Sequence, residues 1–317
     1  MNDDKIDLQR HIMSYQGQKD GVSFIVLAGI HGNEPAGIIA LSLVKKMLDV
    51  EPITNPGFVF SGNMLGIIGN LSACRDGVRY HDRDLNRMWQ EDIITEEELL
   101  PAEEQSKELN ELKEILQSVH GFVQATNPKK LYILDLHTTS SGGGIFAIPS
   151  QDPESIKVAS ELHTPVILDI MRGIQGTTLH YFTRDVFPGV ETVTLTFEGG
   201  QHNDPLSVNR CIAAIVNCLI SIGAVKSEDV ENIHNQILID YAKDLPKVSK
   251  LIYKHNITDV DQFVMNPGYS NFDDIDKGEK LAMDKNGDVL APYSGKILMP
   301  LYQSKGEEGF YIVESCD

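Results

Sequence analysis

An α/β architecture with a second, β-rich part towards the C-terminal end is predicted for this chain of 317 residues. Three observations predict it. β-rich apolar runs alternate with stretches of helical period through about residue 225. The length is about twice that of a typical domain. Beyond residue 226, turn dipeptides separate short strand candidates and no long helix follows. A composition that is 41% hydrophobic and 23% charged, with 26 Gly and 14 Pro, suits a folded chain able to bury a full core.

The elements follow in order. Residues 22–28 form a β-rich apolar run. Pro35 then stands where a helix can begin, and Ile38, Ile39, Leu41, Leu43, Val44, Met47 and Leu48 continue it. Further strands are predicted over 57–62, 131–136, 145–148, 166–168 and 193–197, with helical patterns over 101–119, 153–162 and 205–222. Residues 91–114 are strongly acidic. Because Leu99, Leu109, Leu112, Ile115, Leu116 and Val119 keep a helical spacing, the segment reads as a solvated amphipathic helix. The apolar run 211–225 is bounded by Arg210 and Lys226, contains Asn217 and falls short of the ~20 residues that span a bilayer. It reads as a buried helix. After a short helical stretch come Pro267-Gly268, Lys277-Gly278, Asn286-Gly287 and Ser294-Gly295. The expected division is therefore residues 1–225 and residues 226–317.

Against 27 Lys and Arg stand 46 Asp and Glu, a formal charge of −19. Such a surface repels phosphate backbones and anionic lipid, so neither nucleic acid nor membrane is an expected partner. An anionic small molecule would need local cations to enter against that field. Residues 1–19 lack the apolar core of a signal peptide. The four cysteines, Cys74, Cys211, Cys218 and Cys316, form no close framework. Seven residues on one helix would set Cys211 and Cys218 about 10 Å apart, too far to pair. A reducing cytoplasm is the expected location, and a homo-oligomer is compatible with the sequence.

Three strand candidates end in polar residues that can do chemistry: His31-Gly32-Asn33-Glu34, Asp135-Leu136-His137 and Glu198-Gly199-Gly200. In open α/β sheets, sites form beyond the carboxyl ends of strands, so residues this far apart in sequence can converge. Two imidazoles and a carboxylate are the usual three protein ligands of a catalytic zinc. His31, Glu34 and His137 are the candidate ligands, and Glu198 is left off the metal as the base. The His-x-x-Glu spacing alone is weak evidence. Gly29 and Gly32 around His31, and the glycine-rich loop 138–144 after His137, add placement to it. Arg79, Arg83 and Arg87 recur at fourfold spacing, suited either to gripping a carboxylate or to a solvated helix face paired with Asp82 and Asp84.

Taken together, His31-Gly32-Asn33-Glu34, the 79–87 stretch with its Asp84-Leu85-Asn86-Arg87 core, Asp135-Leu136-His137 and Phe197-Glu198-Gly199 resemble, in order, the motifs of the succinylglutamate desuccinylase and aspartoacylase family. The resemblance spans roughly residues 22–200. It implies a zinc carboxypeptidase-like mixed sheet flanked by helices, and one Zn2+ on His31, Glu34 and His137. Glu198 would be general base and proton donor, and Arg79 would polarise the scissile carbonyl. Asn86 and Arg87 would hold a substrate carboxylate. The implied reaction is hydrolysis of the amide of an N-acyl amino acid or similar small anionic N-acylated substrate. Arg83 matches no family role. The arginine that aspartoacylases carry about ten residues before the glutamate falls near Pro188, with Arg184 the nearest replacement and Arg172 a more distant one. Residues 278–300 look like a lipoyl- or biotinyl-type barrel-sandwich, implying a smaller C-terminal β-rich domain that covers the cleft. Lys285 within it reads as an ordinary turn lysine rather than an attachment site. The rival readings are a metallocarboxypeptidase acting on short peptides and a non-catalytic metal-binding family member. A phosphate loop at 29–34 fails, having neither GxGxxG nor a Walker lysine.

Overall fold

A computed structural model describes residues 8–183, 186–230 and 233–316. Among these residues fourteen strands and nine α-helices form. In chain order they begin β1 (His11–Gln16), β2 (Lys19–Ala28), α1 (Ala36–Thr54), β3 (Ser61–Ile68), α2 (Leu71–Asp76), α3 (Glu91–Glu98), α4 (Lys107–Thr126) and β4 (Lys130–Thr139). Next come β5 (Phe146–Pro149), α5 (Pro153–Ser160), β6 (Val166–Leu168), α6 (Ile170–Gly173), α7 (Thr178–Phe182), β7 (Glu191–Gln201), α8 (Leu206–Ser221) and α9 (Ile233–Ala242). The chain closes with β8 (Val248–Asn256), β9 (Val264–Met265), β10 (Asp274–Ile275), β11 (Lys280–Asp284), β12 (Gly287–Leu290), β13 (Gly295–Leu298) and β14 (Glu308–Ser315). The protein is a mixed α/β fold with a β-rich C-terminal region, as the alternation predicts.

Packing divides the chain into two compact units. Of the described residues, one comprises 8–137, 176–183, 186–194 and 222–230, the other 138–175, 195–221 and 233–316. The cuts fall inside β4 and β7 as well as near residue 225, a different partition from the linear one expected at 225/226.

In the first unit the strand order is β1-β3-β2-β4. β2 pairs in parallel with both β3 and β4, while β1 runs antiparallel to β3. Parallel strands buried on both faces read as continuous apolar runs, and residues 24–28 of β2 are fully buried. Ile25, Leu27, Leu65, Ile67, Leu131 and Ile133 share one core with Leu109, Leu112, Ile115 and Val119 of α4. On α1 the residues Ile38, Leu41, Val44 and Leu48 are buried, whereas Ile39, Leu43 and Met47 face outward. The outward side chains show how far an apolar count overstates a helix's buried stripe.

The second unit carries the order β7-β5-β6-β8-β14-β13-β10 together with a three-strand sheet β12-β11-β9. Its own core includes Met265, Ile275, Leu281, Ile297, Phe310 and Ile312. Cys211 and Cys218 lie buried on α8, both as free thiols. Among the described residues no helix is long and apolar enough to cross a membrane.

Two sequence expectations are corrected. The strand expected at 57–62 forms at Ser61–Ile68 instead. The acidic stretch 91–114, expected to be a solvated amphipathic helix, is broken between α3 and α4 around Pro101, where the ring cannot continue a helical ladder. Nor is its acidity simply solvated: Glu97, Glu108 and Glu111 are buried. Each satisfies backbone donors of neighbouring turns. Glu97 accepts from the N–H and hydroxyl of Ser106, and Glu111 from the N–H groups of Leu71 and Ser72 at the start of α2. Unpaired helix-start and loop N–H groups need acceptors wherever water is excluded, and these glutamates supply them.

Candidate functional site

The first unit brings together the ends of β2 and β4. Their parallel register sets Leu27 beside Asp135 and Ala28 beside Leu136, so the residues that follow, Gly29 to Glu34 and His137, emerge as neighbours. The turn after β2 is held close to the 79–83 loop: the N–H of Gly32 donates to the carbonyl of Arg79 at 3.0 Å. A Cβ at Gly32 would lie 2.2 Å from the backbone carbon of Ala73, so only glycine admits this approach.

His31, Glu34 and His137 are all buried, and one ligand atom from each lies within 4.8 Å of the others. Both rings turn the same atom towards Glu34. Nδ1 of His31 is 2.8 Å from Oε1, and Nδ1 of His137 is 3.3 Å from Oε2. Behind each ring stands a second carboxylate: Asp84 Oδ1 is 3.0 Å from His31 Nε2, and Asp135 Oδ2 is 3.1 Å from His137 Nε2. A neutral imidazole presents a lone pair at Nδ1 only while its proton sits on Nε2, and a carboxylate there accepts that proton's hydrogen bond. The donor set therefore fits a divalent metal such as zinc: two nitrogens and one carboxylate, all buried, with the His31 ring hydrogen-bonded from behind by Asp84 and the His137 ring backed at 3.1 Å by the Asp135 carboxylate.

The local field favours charge on the acids. Burial alone would raise the carboxyl of Glu34, but the charge of His31 and the hydrogen bonds of His137 and His31 hold it well below the usual range. Asp84 is likewise held well below its ordinary value, burial being outweighed by the charges of His31 and Arg79. For His137, burial would lower the imidazole, yet the charge and hydrogen bond of Asp135, with Glu34 adding to them, raise it well above the usual value.

Arg79 reaches the same cluster. Its Nη2 donates to Asp84 Oδ2 at 3.0 Å, and its Nη1 stands 3.7 Å from Glu34 Oε1. The loop carrying it is not the helix that fourfold arginine spacing allows. Only residues Leu85–Arg87 form a single 3-10 turn, capped by the Asp84 side chain on the Asn86 N–H at 2.9 Å. The loop is shaped from beneath by Glu108, which accepts from the N–H groups of His81, Asp82 and Arg83 and from Asn70 Nδ2, at 2.8 to 3.2 Å. Asn86 uses its Oδ1 to accept from the Thr178 N–H at 3.2 Å, and Arg87 Nη1 donates to the Asn86 carbonyl at 2.8 Å. Arg83 turns to Glu97 instead.

Glu198 belongs to the second unit. It is buried on β7, in register with Phe146 of β5. In the same unit Thr138 Oγ1 is 2.7 Å from Nδ1 of His202. Arg172, considered as a distant second carboxylate grip, is largely exposed and pairs with Asp169, while Arg184 lies outside the described residues. Asp84, Asp135 and Glu108 carry structural duties at this site that the sequence reading did not assign. Asp84 and Asp135 stand inside the site motifs, yet with no role at the metal ligands given to them; Glu108 lay hidden in an acidic run.

Comparison with known proteins agrees with these motifs. Residues 20–222 match the succinylglutamate desuccinylase/aspartoacylase catalytic domain. A succinylglutamate desuccinylase of Paraburkholderia xenovorans is 36% identical over 87 residues, 27% of this chain and 23% of that protein. A probable aspartoacylase of Prochlorococcus marinus is 31% identical over 151 residues, 47% of this chain and 45% of that one. The chain thus spans less than half the length of these two relatives. The crystal structure of a succinylglutamate desuccinylase from Vibrio parahaemolyticus has the same fold, with a TM-score of 0.61 at 19% identity, covering 93% of this chain and 82% of that one. With the family's domain matching well over half of its length, this chain belongs to the succinylglutamate desuccinylase/aspartoacylase catalytic-domain family.

Proposed function

We propose that the protein is a zinc-dependent deacylase that hydrolyses the amide bond of an N-acyl amino acid or a similar small carboxylate-bearing amide. The reading is carried by the buried His31, Glu34 and His137 triad with Asp84 and Asp135 behind its two rings. Family membership supports the reaction class. A zinc held there supplies Lewis acidity and brings a water's pKa to about 7.

The chain's own residues carry the remaining duties. Arg79, beside Glu34 and Asp84, presents a guanidinium to the substrate's amide carbonyl and stabilises the negative charge that develops on its oxygen, a term worth ~3 kcal/mol or more. Asn86 and Arg87 bind the substrate carboxylate, the guanidinium fork matching it in two hydrogen bonds. Glu198 accepts the proton from the attacking water and returns it to the leaving amine. Small anionic substrates suit a chain of charge −19 only if these arginines face them.

The test is metal analysis of the purified protein joined to a panel of N-acetyl, N-succinyl and aromatic N-acyl amino acids, with short peptides alongside. One zinc per chain and turnover confined to N-acyl amino acids is the expected result. Turnover of peptides in preference would make the protein a carboxypeptidase, and a zinc content well below half an equivalent in chelator-free material would remove the metal.

A further inference from the structure

Between the metal triad and the candidate carboxylate grip lies a segment to which no motif points, Gly176-Thr177-Thr178 at the start of α7. Thr178 is 1% exposed and makes two hydrogen bonds in two directions. Its hydroxyl donates to Asp135 Oδ2 at 2.5 Å, the same oxygen that stands 3.1 Å from His137 Nε2. Its backbone N–H donates to Asn86 Oδ1 at 3.2 Å. The segment can come this close because of Gly176. Its φ is +70°, and a Cβ there would lie 2.3 Å from the carbonyl oxygen of Arg87. The Trp89 N–H, donating to the Gly176 carbonyl at 3.1 Å, fastens the segment in place.

We propose that Thr178 is a positioning residue joining the two halves of the site: its hydroxyl locks the carboxylate that orients His137, and its backbone N–H sets the amide of Asn86. The proposal rests on the reading of His31, Glu34 and His137 as the metal ligands. The chemistry is specific to a hydroxyl. An Asp135 carboxylate free to rotate about its terminal bond can offer either oxygen at either angle. Anchored by the threonine O–H it presents one oxygen to Nε2, and the ring's Nδ1 stays aimed at Glu34. Partners of this kind, behind a ligating histidine, typically change metal affinity 10–100-fold. The side of the link that reaches Asn86 is main chain, so a side-chain substitution at 178 separates the two effects.

The experiment measures the zinc dissociation constant by competition with a chromophoric chelator for the native protein, Thr178→Val and Thr178→Ser, and then KM at saturating zinc. Thr178→Val should raise the zinc constant about 10–100-fold while KM stays within about twofold of the native value, and Thr178→Ser should restore the zinc constant. In the background of Asp135→Asn, adding Thr178→Val should change the zinc constant little further, because the two act through one carboxylate. A folded Thr178→Val protein that binds zinc as the native one does overturns the proposal. So does a loss that serine fails to restore, or one in which KM rises in step with the zinc constant, since a packing role alone would do that. If the valine variant does not fold, Thr178→Ala carries the same comparison. A native protein that takes up no zinc would instead remove the metal reading itself, an outcome separable from the behaviour of the variants.

Discussion

Asp84 Oδ1 lies 3.0 Å from Nε2 of His31, while its other carboxylate oxygen accepts from Arg79. One buried acid thus orients the His31 ring and holds the arginine beside it. Asp84→Asn keeps the shape and removes the charge. The zinc constant is expected to rise about 10–100-fold, and turnover at saturating zinc to fall further through Arg79. Titration against a chelator followed by steady-state kinetics checks both; an Asn variant with native zinc affinity would deny Asp84 its role.

The pH dependence follows from His137, whose imidazole lies well above the ordinary value: burial opposes the charge, but Asp135 and Glu34 more than compensate. In protein without metal, the protonated ring contributes stability that is fully present below about pH 6.5, the unfolded value, and is lost as pH rises through the raised folded value. Zinc requires the neutral ring, so protons compete with it. Apparent zinc affinity should therefore weaken as pH falls through the raised value of this imidazole, by up to about tenfold per pH unit, read by calorimetry in matched buffers. A flat profile would place the raised imidazole elsewhere.

Glu198→Gln removes the proposed base without changing its size. A fall in kcat of about 10²–10⁴ is expected, with zinc content unchanged. Turnover within a few fold of native would falsify the assignment of Glu198.

Glu108 sits beneath the loop that presents Arg79 and accepts four hydrogen bonds from it and from Asn70. Glu108→Ala should destabilise the protein by about 3 kcal/mol, because several buried N–H groups lose their acceptor at once. Urea unfolding measures this, and the variant's kcat should fall although residue 108 touches no ligand of the triad.

The parts of this protein that read correctly from sequence are those whose signal is local. β2 and β4 carry apolar runs at residues 24–28 and 131–134, α5 starts on the Asp152 cap with Pro153 behind it, and the His31 and His137 motifs follow those runs. The acidic segment misled because charge density says nothing about direction: Glu97, Glu108 and Glu111 turn inward to donors that come from residues 70–83 and 106. Fourfold arginine spacing suggested a helix face, yet the chain over 79–84 follows the acceptors of Glu108. Thr178 carries no sequence pattern at all. Its meaning comes only from the approach of residues 176–178 to Asp135 and Asn86, which are 43 and 92 positions away.

The parallel pairing of β2 with β4 has a kinetic corollary. His31 and His137 are joined by more than a hundred intervening residues, so the ligand set comes into being only when that long loop has closed and the strands have found register. A nascent chain released before residue 137 holds two of the three proposed donors, His31 and Glu34, so a metal at this site would not template the early steps of folding. On the proposed reading an ion would be captured late, by a sheet already formed.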